Sequence, residues 1–311
     1  MQFLKPVRLP AAVYEIQHLL DWAWGIRNVT SPSPKPVVLR RWHLHEVNFE
    51  DYVVTPFLDG IPVQLVFGKF QFCGSKPFCV LVNSIGEIYQ LEVYGPGDLF
   101  RGSVFDAQIC DGFVYVMDVL CSKGEKLGDQ RFDQRYLEVQ TLFVTHRPEQ
   151  KEVLGGLDLA RRNFVASADP SLKLRAKSWT RFTNLGSIVR RQEAAKGYLF
   201  LPTSDPVRAN QHTTYFILHL EAPSVNVQAH QGSLYCVGHD HKLGRVPGAP
   251  GNVQMEDGIY QIALPSFHPQ RARPDILRPD HVRHVTQCQQ VLQDTVSLGE
   301  ILNFRAPESA L

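Results

Sequence analysis

The stretch Ser31 to Val66, SPSPKPVVLRRWHLHEVNFEDYVVTPFLDGIPVQLV, organises the reading of the whole chain. It begins with Ser31-Pro32-Ser33-Pro34-Lys35-Pro36, a turn or linker, because proline fixes φ and cannot feed a helix interior. From Tyr52 onward the composition shifts to Val, Phe, Ile and Tyr, and Asp59-Gly60 marks the first turn in it. The same punctuation recurs at Cys73-Gly74, Ile85-Gly86, Gly95-Pro96-Gly97 and Asp111-Gly112. Short β-prone runs between regular turn signals predict an antiparallel sheet of hairpins over Tyr52–Val119.

Working outward, residues 11–26 place Val13, Ile16, Leu19, Leu20 and Trp24 near one face at helical spacing, which predicts an amphipathic helix ending near Gly25. Residues 129–163 are rich in Arg, Glu, Gln and Leu and predict one or two surface helices; 174–193 repeat that character less clearly. Strands resume at Tyr198–Leu201 and Tyr215–Leu218, and 224–264 read as further short strands interrupted by the loop Gly244–Gly251. A Pro/Arg-rich segment, 265–281, leads into a last helix, 282–303. There is no internal repeat. The whole is α+β, with a mixed N-terminal body and a smaller β-rich C-terminal domain.

With 311 residues, 44% hydrophobic and 20% charged, the chain is long enough for two modest domains and is neither collagen-like nor disordered. Lys plus Arg is 32 and Asp plus Glu 31, so the net charge of +1 leaves any polyanion contact to a local site. Cys73, Cys79, Cys110, Cys121, Cys236 and Cys288 form no C-x-x-C pair, which fits a reducing compartment. No apolar run has the length of a secretory signal or a membrane span. An intracellular protein without a membrane partner is expected, with nucleus and cytoplasm not distinguished.

Ser31–Val66 also resembles the entry to the nucleotidyltransferase domain of mRNA capping guanylyltransferases, in the covalent nucleotidyltransferase and DNA ligase superfamily. There P-G-x-x-P-V-S-L precedes a helix and a strand ending in K-x-D-G-x-R. Pro36-Val37-Val38-Leu39, Asp51-Tyr52 and Asp59-Gly60 fall in register with it. Ser103–Ile109 resembles the D-G-E strand, Phe113–Val119 with Gly124 and Arg135 the aromatic strand and loop after it, and Lys196–Pro202 the D/E-G-L-I-F-x-P strand. Arg271-Ala272-Arg273-Pro274-Asp275-Ile276 with Pro279-Asp280 lies over R-x-R-x-D-K-x-x-P-N, and Val291–Leu302 fits the closing helix. The resemblance implies an ATP-grasp-like nucleotidyltransferase body of twisted antiparallel sheets over 1–224, and an OB-type β-barrel domain over 225–311.

In that family a lysine attacks the α-phosphate of GTP, and here Phe57 stands at its position. The resemblance carries nucleotide-binding roles onto Asp59, Gly60, Gln108, Asp118, Lys196, Arg271, Arg273 and Asp275, with no intact catalytic residue and no metal ligand set. Phenylalanine cannot form the phosphoramidate. Gln108 and Lys196 replace carboxylates that a hard magnesium ion would prefer. Asn83-Ser84 stand for Asp-Arg, no lysine occurs between Gly197 and His241, and Ile276 replaces the last lysine of the C-terminal motif. One lost transition-state cation or oxyanion donor costs about 3–4 kcal/mol, so losing the set together argues against guanylyl transfer.

The expected function is a pseudoenzyme: a guanylyltransferase-like module without cofactor that binds a guanine nucleotide or an RNA 5′ cap, or serves a capping or transcription complex. One alternative is an active guanylyltransferase or polynucleotide ligase, with GTP and Mg2+, using a relocated lysine such as Lys69 or Lys76. Another is a structural subunit with an occluded cleft. The pairs His43/His45 and His239/His241 have a spacing zinc tolerates on a strand, but read better as surface or turn histidines. Gly95–Gly97 with Gly102 reads as a hairpin connection. Arg271–His284 is the one concentrated basic patch, a solvated segment or a residual phosphate contact.

Overall fold

A computed structural model of the chain describes residues 4–27, 36–58, 60–143, 165–169, 171–191, 195–204, 215–220, 224–238, 240, 242–264, 266–272, 279–282, 285–286, 288–289 and 296–303. Asp59, Arg273, Asp275, His239 and His241 lie outside these residues, as does the side chain of Arg271. In chain order the elements begin β1 (Lys5–Pro6), α1 (Pro10–Trp24), β2 (Val37–Val38), α2 (Arg41–Glu46), β3 (Tyr52–Pro56), β4 (Ile61–Phe70) and β5 (Lys76–Asn83). Then come β6 (Ile88–Gln90), β7 (Val93–Tyr94), β8 (Ser103–Cys110), β9 (Phe113–Ser122), β10 (Glu125–Lys126), α3 (Phe132–Leu142) and β11 (Ala166–Ser167). They continue with β12 (Lys173–Ala176), β13 (Thr180–Arg181), α4 (Leu185–Arg191), β14 (Gly197–Pro202), β15 (Phe216–His219) and β16 (Ser224–His230). The last are β17 (Ser233–Val237), β18 (Leu243–Arg245), β19 (Gly258–Ala263), β20 (His268–Ala272) and α5 (Leu298–Asn303). The chain is α+β, and it divides into two units: Met1–Val37, Glu50–Gln192 and Leu199–Tyr215 form one; Val38–Phe49, Glu193–Tyr198 and Phe216–Leu311 form the other.

The first unit is built on a sheet in the order β1-β6-β5-β4-β8-β9-β10, with β12 added in parallel to β9. The expected hairpins β4–β5 and β8–β9 are antiparallel. Both faces of β4 are buried from Val63 to Phe67, which explains its near-continuous apolar run. On one face Leu65, Phe67, Leu81, Phe105 and Val116 pack in one core with Phe132, Tyr136 and Val139 of α3. On the other, Val66, Val80, Val82, Val104 and Leu120 meet Ile16, Leu20 and Trp24 of α1. These three recur every fourth residue, the spacing of one helix face, and truncating such a buried leucine costs about 2–5 kcal/mol. The helix stops where expected, because Gly25 takes the left-handed conformation at φ 72° that a glycine C-cap supplies. In a second sheet of this unit β13 pairs antiparallel with β3, whose other neighbour is β14.

Two helical expectations change. Residues 173–176 form a strand: Leu174 and Ala176 are buried and alternate with Lys173 and Arg175, a period of two in which the basic residues mimic a helix surface. Helical character begins only at a 3-10 turn, Phe182–Asn184, which leads into α4 at Leu185. The single helix expected over 282–303 is interrupted at Val296-Ser297, where α5 starts afresh on a capping box. Ser297 Oγ accepts the Glu300 N–H (3.1 Å), and a Glu300 carboxylate oxygen accepts the Ser297 N–H (2.7 Å). Those bonds, with Arg41, hold the Glu300 carboxyl down at about 2.

The second unit carries five antiparallel strands in the order β18-β17-β16-β19-β20. Val225, Val227 and Ala229 alternate into a core with Leu234, Cys236, Ile262 and Val285. Asp280, in the Pro279-Asp280 step of the C-terminal motif, ties that segment to the sheet. Its carboxylate accepts the Asn226 N–H (2.7 Å), its own N–H reaches Asn226 O (2.8 Å), and its carbonyl takes the Val237 N–H (2.9 Å). His43 and His45 are on α2 rather than a strand, so residues two apart do not share a face. His43 is buried against Phe216, ring centroids 4.5 Å apart, and its Nδ1 accepts the Arg40 N–H at 2.9 Å. It is a packing residue, not a surface one.

Candidate functional site

The loop 57–60 joins β3 to β4 at the position where the sequence comparison expects the nucleophile, and Phe57 in it is half-buried. β4 and β8 are antiparallel, with Pro62 opposite Gln108, so the loop returns alongside the end of β8. There the Gln108 amide donates to Leu58 O (2.8 Å) and Gly60 O (3.1 Å). A Cβ on Gly60 would stand 2.5 Å from Ile109 O and 2.8 Å from Gln108 Cγ, so only glycine allows this approach. The structure therefore brings Gly60 and Gln108 together.

An amide and a carboxylate are not interchangeable here, because only the amide can donate. Gln108→Glu would face two carbonyl oxygens with an acceptor-only group. A loss of about 1–3 kcal/mol is expected, together with faster hydrogen exchange at the loop amides. Urea unfolding and exchange mass spectrometry measure both.

Along the same strands, Asp106 and Asp118 are cross-strand partners between irregularities in the β8–β9 register. Each carboxylate is engaged. Gln64 Nε2 donates to Asp106 Oδ1 at 2.9 Å, while Trp24 Nε1 donates to Gln64 Oε1 at 3.2 Å. Arg135, fully buried on α3, grips Asp118 through Nε and Nη2, both at 2.9 Å, and Val119 N–H adds a third donor at 2.8 Å. Burial pushes the Asp118 carboxyl up against the pull of these donors. The two aspartates line a cleft within the first unit that encloses about 560 Å³, its open mouth included. Met117, Trp179, Phe200 and Tyr215 supply its apolar walls.

Of the residues singled out by sequence, Asp118 lines this cleft and Gly60 and Gln108 hold the neighbouring loop. Lys196 is exposed just before β14, and Arg271 is placed on β20 in the second unit. Lys69 and Lys76 belong to the far end of the β4–β5 hairpin. At about 3.3 Å per residue Lys69 is about 26 Å along β4 from Ile61, so neither stands in for Phe57.

Sequence reasoning missed Lys177. It follows β12 with 5% of its surface exposed, and its amine is 5.2 Å from the centroid of the Tyr115 ring. Tyr115 is the cross-strand partner of Gln108, and Thr55 Oγ1, near the end of β3, donates to Ser178 O at 2.7 Å. The segment is thus anchored beside the loop. Burial pushes the Lys177 amine down to about 8. The alternation of 173–176 gave no signal for it, because period two puts Lys177 in phase with the outward Lys173 and Arg175.

No family profile and no curated protein match the sequence. Among solved structures the chain is similar to a mycobacterial DNA ligase D complexed with ATP and MES, at 10% identity and a TM-score of 0.41 over 81% of this chain and 98% of that one. It is similar to a Lig E DNA ligase at 11% identity and TM-score 0.37, over 79% and 98% of the two chains. The ligase domain of M. tuberculosis LigD aligns at 11% identity and TM-score 0.37, over 76% and 73%.

Proposed function

We propose that the chain is a catalytically degenerate guanylyltransferase-like module that binds a guanine nucleotide or a capped RNA 5′ end without forming a covalent adduct. The observation that carries the reading is the pair of hydrogen bonds from Gln108 to Leu58 O and Gly60 O. A side chain at the position of a family carboxylate donates to the protein's own loop, and that loop bears Phe57 where the nucleophile belongs. Among the described residues of the loop, Phe57, Leu58 and Gly60, no side chain can attack a phosphorus atom, and Asp118 is committed to Arg135. What the loop and cleft can still do is hold a planar base against apolar walls.

The test is calorimetric titration with GTP, GDP and cap dinucleotide, beside incubation with α-labelled GTP or ATP and a divalent metal followed by denaturing electrophoresis. Binding of at least one ligand with no labelled protein is the expected result. Absence of binding by all three would sink the reading and favour a structural subunit.

One observation favours a second reading, an active nucleotidyltransferase with a relocated lysine. The Lys177 amine is nearly buried and held at about 8, the condition that supplies an unprotonated amine near neutral pH. In that case its Nζ bonds to the α-phosphorus as pyrophosphate leaves. A labelled band that disappears in Lys177→Met would establish it.

A further inference from the structure

The end of the main sheet carries two cross-strand rows, in which Gln108 alone is engaged by the loop. In the first, Cys110 pairs with Phe113 and Phe113 with Lys173; in the second, Gln108 pairs with Tyr115 and Tyr115 with Arg175. Residues in register on adjacent strands share a face. The opposite face at these positions, Ala107, Val114, Val116, Leu174 and Ala176, is buried core. This face is half-exposed at Phe113, Tyr115 and Arg175, open at Lys173 and closed at Lys177.

The cations stand over the rings. The Arg175 guanidinium is 3.8 Å from the Phe113 centroid, Lys173 Nζ is 6.0 Å from the same ring, and Lys177 Nζ is 5.2 Å from Tyr115. None of the three forms an ion pair among the described residues. A net charge of +1 on the whole chain makes this local excess the more pointed. Lys173 and Arg175 are two residues apart, so the two positions are separated by about 7 Å along the chain. That spacing suits a ligand with charges at regular intervals. The guanidinium plane laid on Phe113 offers its outer surface to a further planar group, as arginine does when it stacks on a base.

We propose that this face, Lys173 and Arg175 over Phe113 and Tyr115, binds single-stranded nucleic acid, with phosphates on these two cations and an unpaired base stacked on the Arg175 plane. The occupant must be a polyanion with exposed flat groups. An acidic peptide provides the charge without the planes, and a duplex keeps its base faces hidden in its own stack. The proposal goes beyond the reading of the loop and cleft, which concerns a mononucleotide or a cap.

Fluorescence polarisation of the full chain with a short mixed-sequence single strand, RNA and DNA in turn, and with the duplex of that sequence, tests it. Single strands should bind more tightly than duplex, and the tighter of RNA and DNA identifies the natural form. Two phosphate contacts predict a log K against log salt slope of about −1.4, at about −0.7 per cation on a single strand. In Lys173→Glu/Arg175→Glu, both changes on the outward face, the slope should fall towards zero and affinity at least tenfold. Arg175→Lys keeps the charge and loses the plane, so it should weaken binding with the slope unchanged. Equal binding by the double variant with an unaltered melting curve, preference for duplex, or no binding of either single strand would overturn the proposal. Titration of the double variant with GTP and cap dinucleotide reads the cleft separately.

Discussion

Arg135→Ala should destabilise the first unit by about 3–5 kcal/mol, the range for removing one partner of a buried pair. Arg135 is fully buried and its partner carboxylate is 9% exposed, so the variant leaves Asp118 out of water and without two of its three donors. Arg135 also donates from Nη1 to Gln130 O, which ties the start of α3 to β9. The pair itself need not be net stabilising, because burying two ions costs about as much as their attraction returns. Arg135→Met/Asp118→Leu should therefore recover most of the loss. Urea unfolding of the wild type, the single variant and the double variant decides between the two contributions. A single variant within 1 kcal/mol of wild type would mean that water reaches the pair.

Lys177→Met should stabilise the protein at neutral pH by about 3 kcal/mol. The folded amine at about 8, against an ordinary 10.5, corresponds to this figure at 1.36 kcal/mol per unit. The sign follows from proton counting. Between pH 8 and 10.5 the unfolded chain holds the Lys177 proton and the folded chain has released it, so stability rises with pH across that interval. Below 8 both states are protonated, and the folded state bears the full cost of a buried ammonium. The contact with Tyr115 returns part of it. The difference between wild type and Lys177→Met, followed by thermal melts from pH 7 to 11, cancels other groups such as Tyr136, whose hydroxyl burial pushes up to about 12. The two curves should converge above 10.5; curves that run parallel would refute the assignment.

The fold was legible where one periodicity governed a segment. α1 shows every apolar position of its stripe, and the β4–β5 and β8–β9 hairpins announce themselves through turn residues and apolar runs. Legibility failed where charge and period conflicted. Lys173 and Arg175 gave β12 a helical look, and the interruption at Ser297 is written as S-x-x-E inside a run that otherwise continues a helix. His43 reads from the sequence as a surface or turn residue, yet Phe216, far along the chain, decides its environment.

The site was legible in part for a similar reason. Position along the chain was enough to compare Phe57, Gln108 and Asp118 with the family pattern. What Gln108 does depends on the return of the loop beside β8, and what Asp118 does depends on Arg135 arriving from α3. Lys177 owes its properties to surroundings assembled from β3, β9 and β12, and burial of that kind leaves no mark at the residue itself.

β12 has a consequence for solubility. Among the described residues it pairs with β9 alone, which leaves one side of its backbone without a ladder partner. Such an edge invites pairing between molecules, and charged side chains are a common guard against it. Lys173 and Arg175 occupy this edge, where their charge opposes such pairing. Charge-reversing substitutions keep the guard in place, whereas neutral ones remove it. A chain carrying alanine or valine at both positions should self-associate at concentrations where the wild type and the glutamate variant remain dispersed.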